Sequence, residues 1–281
     1  MKILVSEYAG FCFGVERAIN IVKSSAKDKQ KIYTLGPLIH NPQVVRNLEK
    51  KGVYVIEDID KISDGDSVVI RSHGITKDIQ NKLKKKNINI IDATCPYVKN
   101  AQEKAKYLKD EKYRVIIYGE KKHPEVKAIL SYTDYTGLVL EKTEDFTSTE
   151  KKNKYGIVSQ TTRNLENFSK ICKKIIHYSV ECRVFNTICN ATYKRQKDAV
   201  KIAKNVDFMI IVGGKNSANT TKLYNIVNEI IPAIHIETAA ELEEDNLKKY
   251  NKIGITAGAS TPEYLINEVV KFLNKIDRGG N

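Results

Sequence analysis

The stretch IIDATCPYVKNAQ, residues 90–102, sets a cysteine between a β-branched strand and a helix that opens on proline. Ile90, Ile91 and Asp92 read as the end of a buried strand, Thr94 and Cys95 as its exit, and Pro96 as the first helical residue, where a missing N–H costs nothing. This order puts the Cys95 thiol beside a helix N-terminus, whose partial positive charge favours thiolate. One cysteine in such a setting is most often a small buried hydrophobe. Recurrence changes that reading.

Cys12 follows ILVSEYAGF and precedes FGVERAINIV, and Cys189 follows RVFNTI and precedes NATYKRQKDAVKIA, so each again ends an extended segment and opens a helical pattern. His40, His123 and Ser217 each stand 28 residues past one of the three cysteines, in glycine-containing loops between strand and helix. Pro42 and Pro124 are expected at N1 of the helices that follow, and Asn219 is expected to cap the third. A second set of loops holds His73 in RSHGIT, Thr161 in SQTTRN and Ser260 in AGASTPE. The spacing predicts three α/β units, 13–95, 96–189 and 190–281, the last completed by a strand within 1–12. The ligand-binding loops are expected at the strand ends, with the three cysteines meeting on a pseudo-threefold axis.

Composition narrows the class. With 281 residues, 41% hydrophobic and 29% charged, the chain is long enough to bury a large core. No run reaches membrane-spanning length, and the apolar start is broken by Ser6 and Glu7, so a cytoplasmic protein is expected. Five cysteines without a CxxC pair fit neither a secreted disulfide framework nor a zinc ribbon. The net charge of +13 is spread as lysine over helical faces, as in KLKKKN at 82–87, and reads as a solvated surface rather than a nucleic-acid site. Three matched thiols suit a metal centre. Zinc with a fourth ligand such as His73, zinc with a water, and an iron–sulfur cluster with one open iron all remain compatible with the residues alone. The hydroxyls and imidazoles at the helix starts around such a centre suit a phosphate or diphosphate.

The motifs FCFGVERA, GPLIHNP, RSHG, DATCPYV, HPEV, SQTT, GGKNS and TAGAS occur in this order between residues 10 and 262. Together they resemble the signature set of the 4-hydroxy-3-methylbut-2-enyl diphosphate reductase (LytB) family, over nearly the whole chain. The resemblance implies a trefoil-like α/β fold of three pseudo-threefold units around a central [4Fe-4S] cluster, with Cys12, Cys95 and Cys189 as ligands and one open iron site. It implies that His40, His73, His123, Ser217, Asn219 and Ser260 hold the diphosphate, that Thr161 orients the allylic hydroxyl, and that Glu125 lies in the proton path with His123 beside it. The family commonly has a second serine where this chain has Ala218, so that position is not carried over.

The implied activity is reductive dehydroxylation of 4-hydroxy-3-methylbut-2-enyl diphosphate to isopentenyl and dimethylallyl diphosphate, which closes the methylerythritol phosphate route to isoprenoids. No GxGxxG stands between a strand and a helix, so the electrons are expected from a low-potential protein donor such as ferredoxin or flavodoxin. Taken from spacing alone, Glu125 is an acidic residue in a first helical turn, stabilised by the helix dipole. His177, His235, Cys172 and Cys182 fall outside the repeat and are expected to be structural.

Overall fold

The computed structural model describes residues 1–25, 31–39, 41–147 and 153–278. His40 and the tail beyond 278 lie outside these, so the expectation for His40 has no structural counterpart.

Among the described residues, twelve strands form three parallel four-stranded sheets. The first contains β2 (Ile32–Leu35), β3 (Val53–Ile56), β4 (Ser67–Ile70) and β5 (Asn89–Asp92), in the order β3-β2-β4-β5. The second contains β6 (Arg114–Tyr118), β7 (Leu138–Leu140), β8 (Asn153–Ser159) and β9 (Ser179–Val184), in the order β7-β6-β8-β9. The third is built from β10 (Phe208–Val212), β11 (Ala233–Ile236) and β12 (Lys252–Ala257), with β1 (Lys2–Val5) beside β12, in the order β1-β12-β10-β11. In every sheet the second strand lies outside the first, the third lies inside, and the fourth closes the far edge. The third sheet repeats this order only because the chain's N-terminus supplies its fourth strand.

Parallel strands covered on both faces are apolar along their length. SVVI in β4 is buried at all four positions, and FMIIV in β10 at its last four. The helices that follow the three cysteines are α1 (Phe13–Ser25), α4 (Pro96–Asp110) and α7 (Asn190–Ala203). Shorter helices follow the first strands: α2 (Pro42–Glu49), α5 (Pro124–Ser131) and α8 (Ala218–Asn228). The third strands lead to α3 (Lys77–Lys84), α6 (Leu165–Ile176) and α10 (Glu263–Arg278), and a four-residue α9 (Glu244–Leu247) precedes β12. Ala101, Ala105 and Leu108 of α4 join Val115, Ile117 and Val158 of the second sheet in one buried cluster. Across the third sheet, α10 gives Leu265, Val269 and Leu273 to a cluster with Ile210, Ile253 and Ile255.

The chain divides into two compact units, one of Met1–Glu16, Ile39–Lys50 and Asn190–Asn281 with the third sheet, the other of Arg17–Leu38 and Lys51–Cys189 with the first and second. Among the described residues no helix is long and apolar enough to cross a membrane.

Candidate functional site

A sheet ordered 2-1-3-4 reverses direction between its first and third strands, and the loops leaving those strands splay apart to leave a binding crevice. The motifs sit on these loops. After first strands come GEKKH (β6) and GGKNS (β10), and after third strands RSHG (β4), SQTT (β8) and AGAS (β12). The backbone repeats the device three times. The loop amides of Gly36, Gly119 and Gly213 donate to Ile56, Leu140 and Ile236 of the neighbouring second strands, at 2.8, 2.9 and 2.8 Å.

The cysteines repeat it as well. The Cys12 amide donates to the carbonyl of Ala259 at 3.1 Å, Cys95 to Ser72 at 3.0 Å and Cys189 to Thr161 at 2.7 Å. Each cysteine is thus tied by its backbone to the loop after the third strand of its own sheet. No disulfide joins any of the five cysteines. Cys95 occupies the N-cap of α4 with Pro96 in the first turn, and its thiol makes no capping bond. Burial pushes the Cys172 thiol up to about 12 and raises that of Cys182, as inert packing thiols require. Among the described residues no three or more His, Cys, Asp or Glu side chains are placed to hold a single metal ion. A cluster makes a different demand, because it spreads its thiolates over several irons.

The most developed chemistry stands in the second sheet's loops. Glu125, on the first turn of α5, is 1% exposed. Its two oxygens accept from the Thr161 amide at 2.6 Å and from the Thr161 hydroxyl at 2.9 Å. Burial pushes the Glu125 carboxyl up to about 7, against the two Thr161 bonds that favour the ionised form. The carboxyl is therefore poised for proton transfer near neutrality. Once Glu125 is protonated, the bond to Thr161 reverses: the carboxyl donates to Thr161 Oγ1, which can pass its own hydrogen onward.

His123 is the N-cap of α5, and its Nδ1 accepts from the Glu125 amide at 3.2 Å. In the neutral ring this leaves the proton on Nε2. The His73 and His123 rings meet edge to face with centroids 5.4 Å apart, so residues 50 positions apart in sequence share one place. In the other unit Ser217 caps α8 by accepting from the Thr220 amide at 3.4 Å. This corrects the expected cap: Asn219 lies inside the first turn of α8, because a turn from the Ser217 amide to the Gly214 carbonyl starts the helix at Ala218. Ser260 is 8% exposed and adjoins Ala259, the acceptor for Cys12. His235 bonds through Nε2 to the Gly213 carbonyl at 3.0 Å and so supports the GGKNS loop.

Two supporting glutamines were not singled out from the sequence. Gln160, 1% exposed, accepts from the Glu120 amide at 3.0 Å and donates to the Thr162 hydroxyl, which joins the β6 loop to the β8 loop. Gln102 lies under the turn that carries His73: a Cβ on Gly74 would come within 2.6 Å of its Nε2, and Gly74 itself has φ +73°. Gly74→Ala is therefore expected to cost about 1–2 kcal/mol for the left-handed backbone alone and to displace His73. Thermal unfolding should show a lower midpoint, and steady-state kinetics a raised KM. A Gly74→Ala, Gln102→Ala double variant should recover part of the loss, and strict additivity would show that the two residues do not collide.

Three parallel sheets of identical strand order, each followed by a cysteine at the start of a helix, define a triplicated α/β protein. The LytB protein family model matches residues 3–274, and the chain belongs to that family. It is 46% identical over 284 residues to the 4-hydroxy-3-methylbut-2-enyl diphosphate reductase of Aquifex aeolicus, with 99% of this chain and 98% of the relative covered. A solved structure of (E)-4-hydroxy-3-methyl-but-2-enyl diphosphate reductase, described as the terminal enzyme of the non-mevalonate pathway, matches with TM-score 0.79 and 44% identity, covering 98% of this chain and all of the other. The Plasmodium falciparum E-1-hydroxy-2-methyl-but-2-enyl-4-diphosphate reductase matches with TM-score 0.87 and 32% identity, over 98% and 87% of the two chains.

Proposed function

We propose that this chain reduces 4-hydroxy-3-methylbut-2-enyl diphosphate to isopentenyl and dimethylallyl diphosphate. The allylic C–O bond breaks, a C–H bond forms at either end of the allyl unit, and two electrons and two protons are consumed as water leaves. The observation that carries this reading is the buried Glu125–Thr161 pair: the carboxyl, pushed up to about 7, accepts from the Thr161 hydroxyl, and the Thr161 backbone carbonyl in turn accepts from the Cys189 amide.

The cysteine set fits a cluster: three thiols in equivalent backbone settings, each at the start of a helix and none in a disulfide. Cys12, Cys95 and Cys189 would hold a [4Fe-4S] cluster, which when bound supplies the two electrons and a Lewis-acid site for the departing hydroxyl. Thr161 orients that hydroxyl and Glu125 resupplies its proton. His73 and His123, with Ser217, Asn219, Ser260 and His40, take the diphosphate, where helix N-termini and imidazole N–H groups favour an anion. A low-potential ferredoxin or flavodoxin delivers electrons one at a time, in the cytoplasm. The repeat units proposed for this arrangement remain 13–95, 96–189 and 190–281 with 1–12.

The test is anaerobic. The purified chain should be brown, carry iron and sulfide, and oxidise a reduced low-potential dye only when hydroxymethylbutenyl diphosphate is added, yielding both five-carbon diphosphates. Loss of water without electron consumption would make it a dehydratase. A chain that stays colourless after reconstitution would remove the cluster from the reading.

A further inference from the structure

Each helix that begins after a cysteine sends a cation to the segment leading into the next cysteine. From α1, after Cys12, Arg17 Nη1 donates to the Thr94 carbonyl at 3.1 Å, one residue before Cys95. From α4, after Cys95, Lys104 Nζ lies 4.8 Å from the centroid of the Phe185 ring, on the segment into Cys189. From α7, after Cys189, Arg195 Nη1 donates to the Tyr8 carbonyl, on the segment into Cys12, and to the Ala257 carbonyl at 2.8 Å.

Arg195 is the most buried of the three, at 7% exposure. Its two carbonyl bonds pin the Tyr8 segment to the end of β12, next to the Ala259 carbonyl that receives the Cys12 amide. The bonds of Arg195 and Arg17 all go to backbone carbonyls rather than to carboxylates among the described residues. A buried guanidinium without a counter-charge is costly. Burial lowers the pKa of Arg195. Asp198, one turn further along α7, is engaged by the Ser6 hydroxyl at 2.6 Å and the Glu7 amide at 3.1 Å.

We infer that Arg195, and by the same construction Arg17, are positioning residues for the cluster ligands: they clamp the segments that present Cys12 and Cys95 and set a positive charge beside anionic thiolates. This rests on the cluster assigned under the proposed function. A cation close to a cluster stabilises its reduced, more negative form, so these arginines raise the reduction potential and bring it within reach of a biological donor.

The experiment compares reconstituted wild type with Arg195→Gln, Arg195→Lys and Arg17→Gln, without substrate. It measures iron and sulfide per chain and the midpoint potential from an electron-paramagnetic-resonance titration. Arg195→Gln should shift the midpoint to more negative potential, Arg195→Lys should return it toward wild type, and Arg17→Gln should shift it in the same direction by less. Full iron with a wild-type midpoint in Arg195→Gln overturns the inference. Should Arg195→Gln load poorly, Arg195→Lys decides: recovered loading and midpoint support the charge, and failure of both variants reduces the guanidinium to packing and overturns it. A wild-type chain that takes up no cluster removes the proposed function and this inference together, whereas a loaded wild type beside an unshifted Arg195→Gln removes this inference alone.

Discussion

Glu125→Gln is expected to keep its iron and lose about 10²–10⁴-fold in turnover, the usual contribution of a positioned general acid. The amide preserves the shape of the side chain and can still accept from Thr161, so substrate affinity should change little. Its second consequence is thermodynamic. The Glu125 carboxyl is held at about 7 in the folded chain against an ordinary value of 4.5. Below pH 4.5 both folded and unfolded chains carry the proton, and the group contributes no pH dependence. Between pH 4.5 and about 7 the folded chain retains the proton and the unfolded chain releases it, so stability falls as pH rises. The loss amounts to about 3 kcal/mol across the window and is complete above it. Wild type should therefore lose more of its unfolding midpoint between pH 5 and pH 8 than Glu125→Gln does. Parallel profiles, together with near-normal turnover, would return Glu125 to the role of an acidic residue in a first helical turn.

Cys95→Ser should fold as well as wild type and fail to assemble the cluster. Serine is among the preferred N-cap residues, and the Cys95 side chain makes no capping bond at α4, so the exchange adds up to about 1 kcal/mol of helix stability at the cap. A hydroxyl is a poor substitute for a thiolate toward iron. Iron and sulfide analysis beside far-ultraviolet circular dichroism separates the two effects, with Cys172→Ser as the companion that should load normally. A Cys95→Ser chain with the full iron content of wild type would take Cys95 out of the ligand set.

The local grammar was legible before any coordinates. Ile90, Ile91 and Asp92 read as a strand end, Pro96, Pro42 and Pro124 read as the openings of helices, and the recurrence of cysteine, glycine loop and second loop shows one construction used three times. The missing fourth strand of the last sheet could be sought at the N-terminus because the other two units each end in one. Asn219 shows where such reading stops. Both Asn219 and Ser217 are good caps by composition, and the choice between them depends on where a tight turn ends, a backbone property that side-chain type does not carry.

Sequence by itself determined the strand–loop–helix order, the threefold plan and the residue types available to the site, because these follow from local propensity, periodicity and spacing. Tertiary structure alone decided which of those residues meet. Thr161 reaches Glu125 across 36 residues and Arg195 reaches Tyr8 across 187, and the packing that brings Thr161 to Glu125 also buries the carboxyl. The physical reason is that the Glu125 carboxyl is raised by the loss of its water, and burial is a property of the packed chain rather than of the residue.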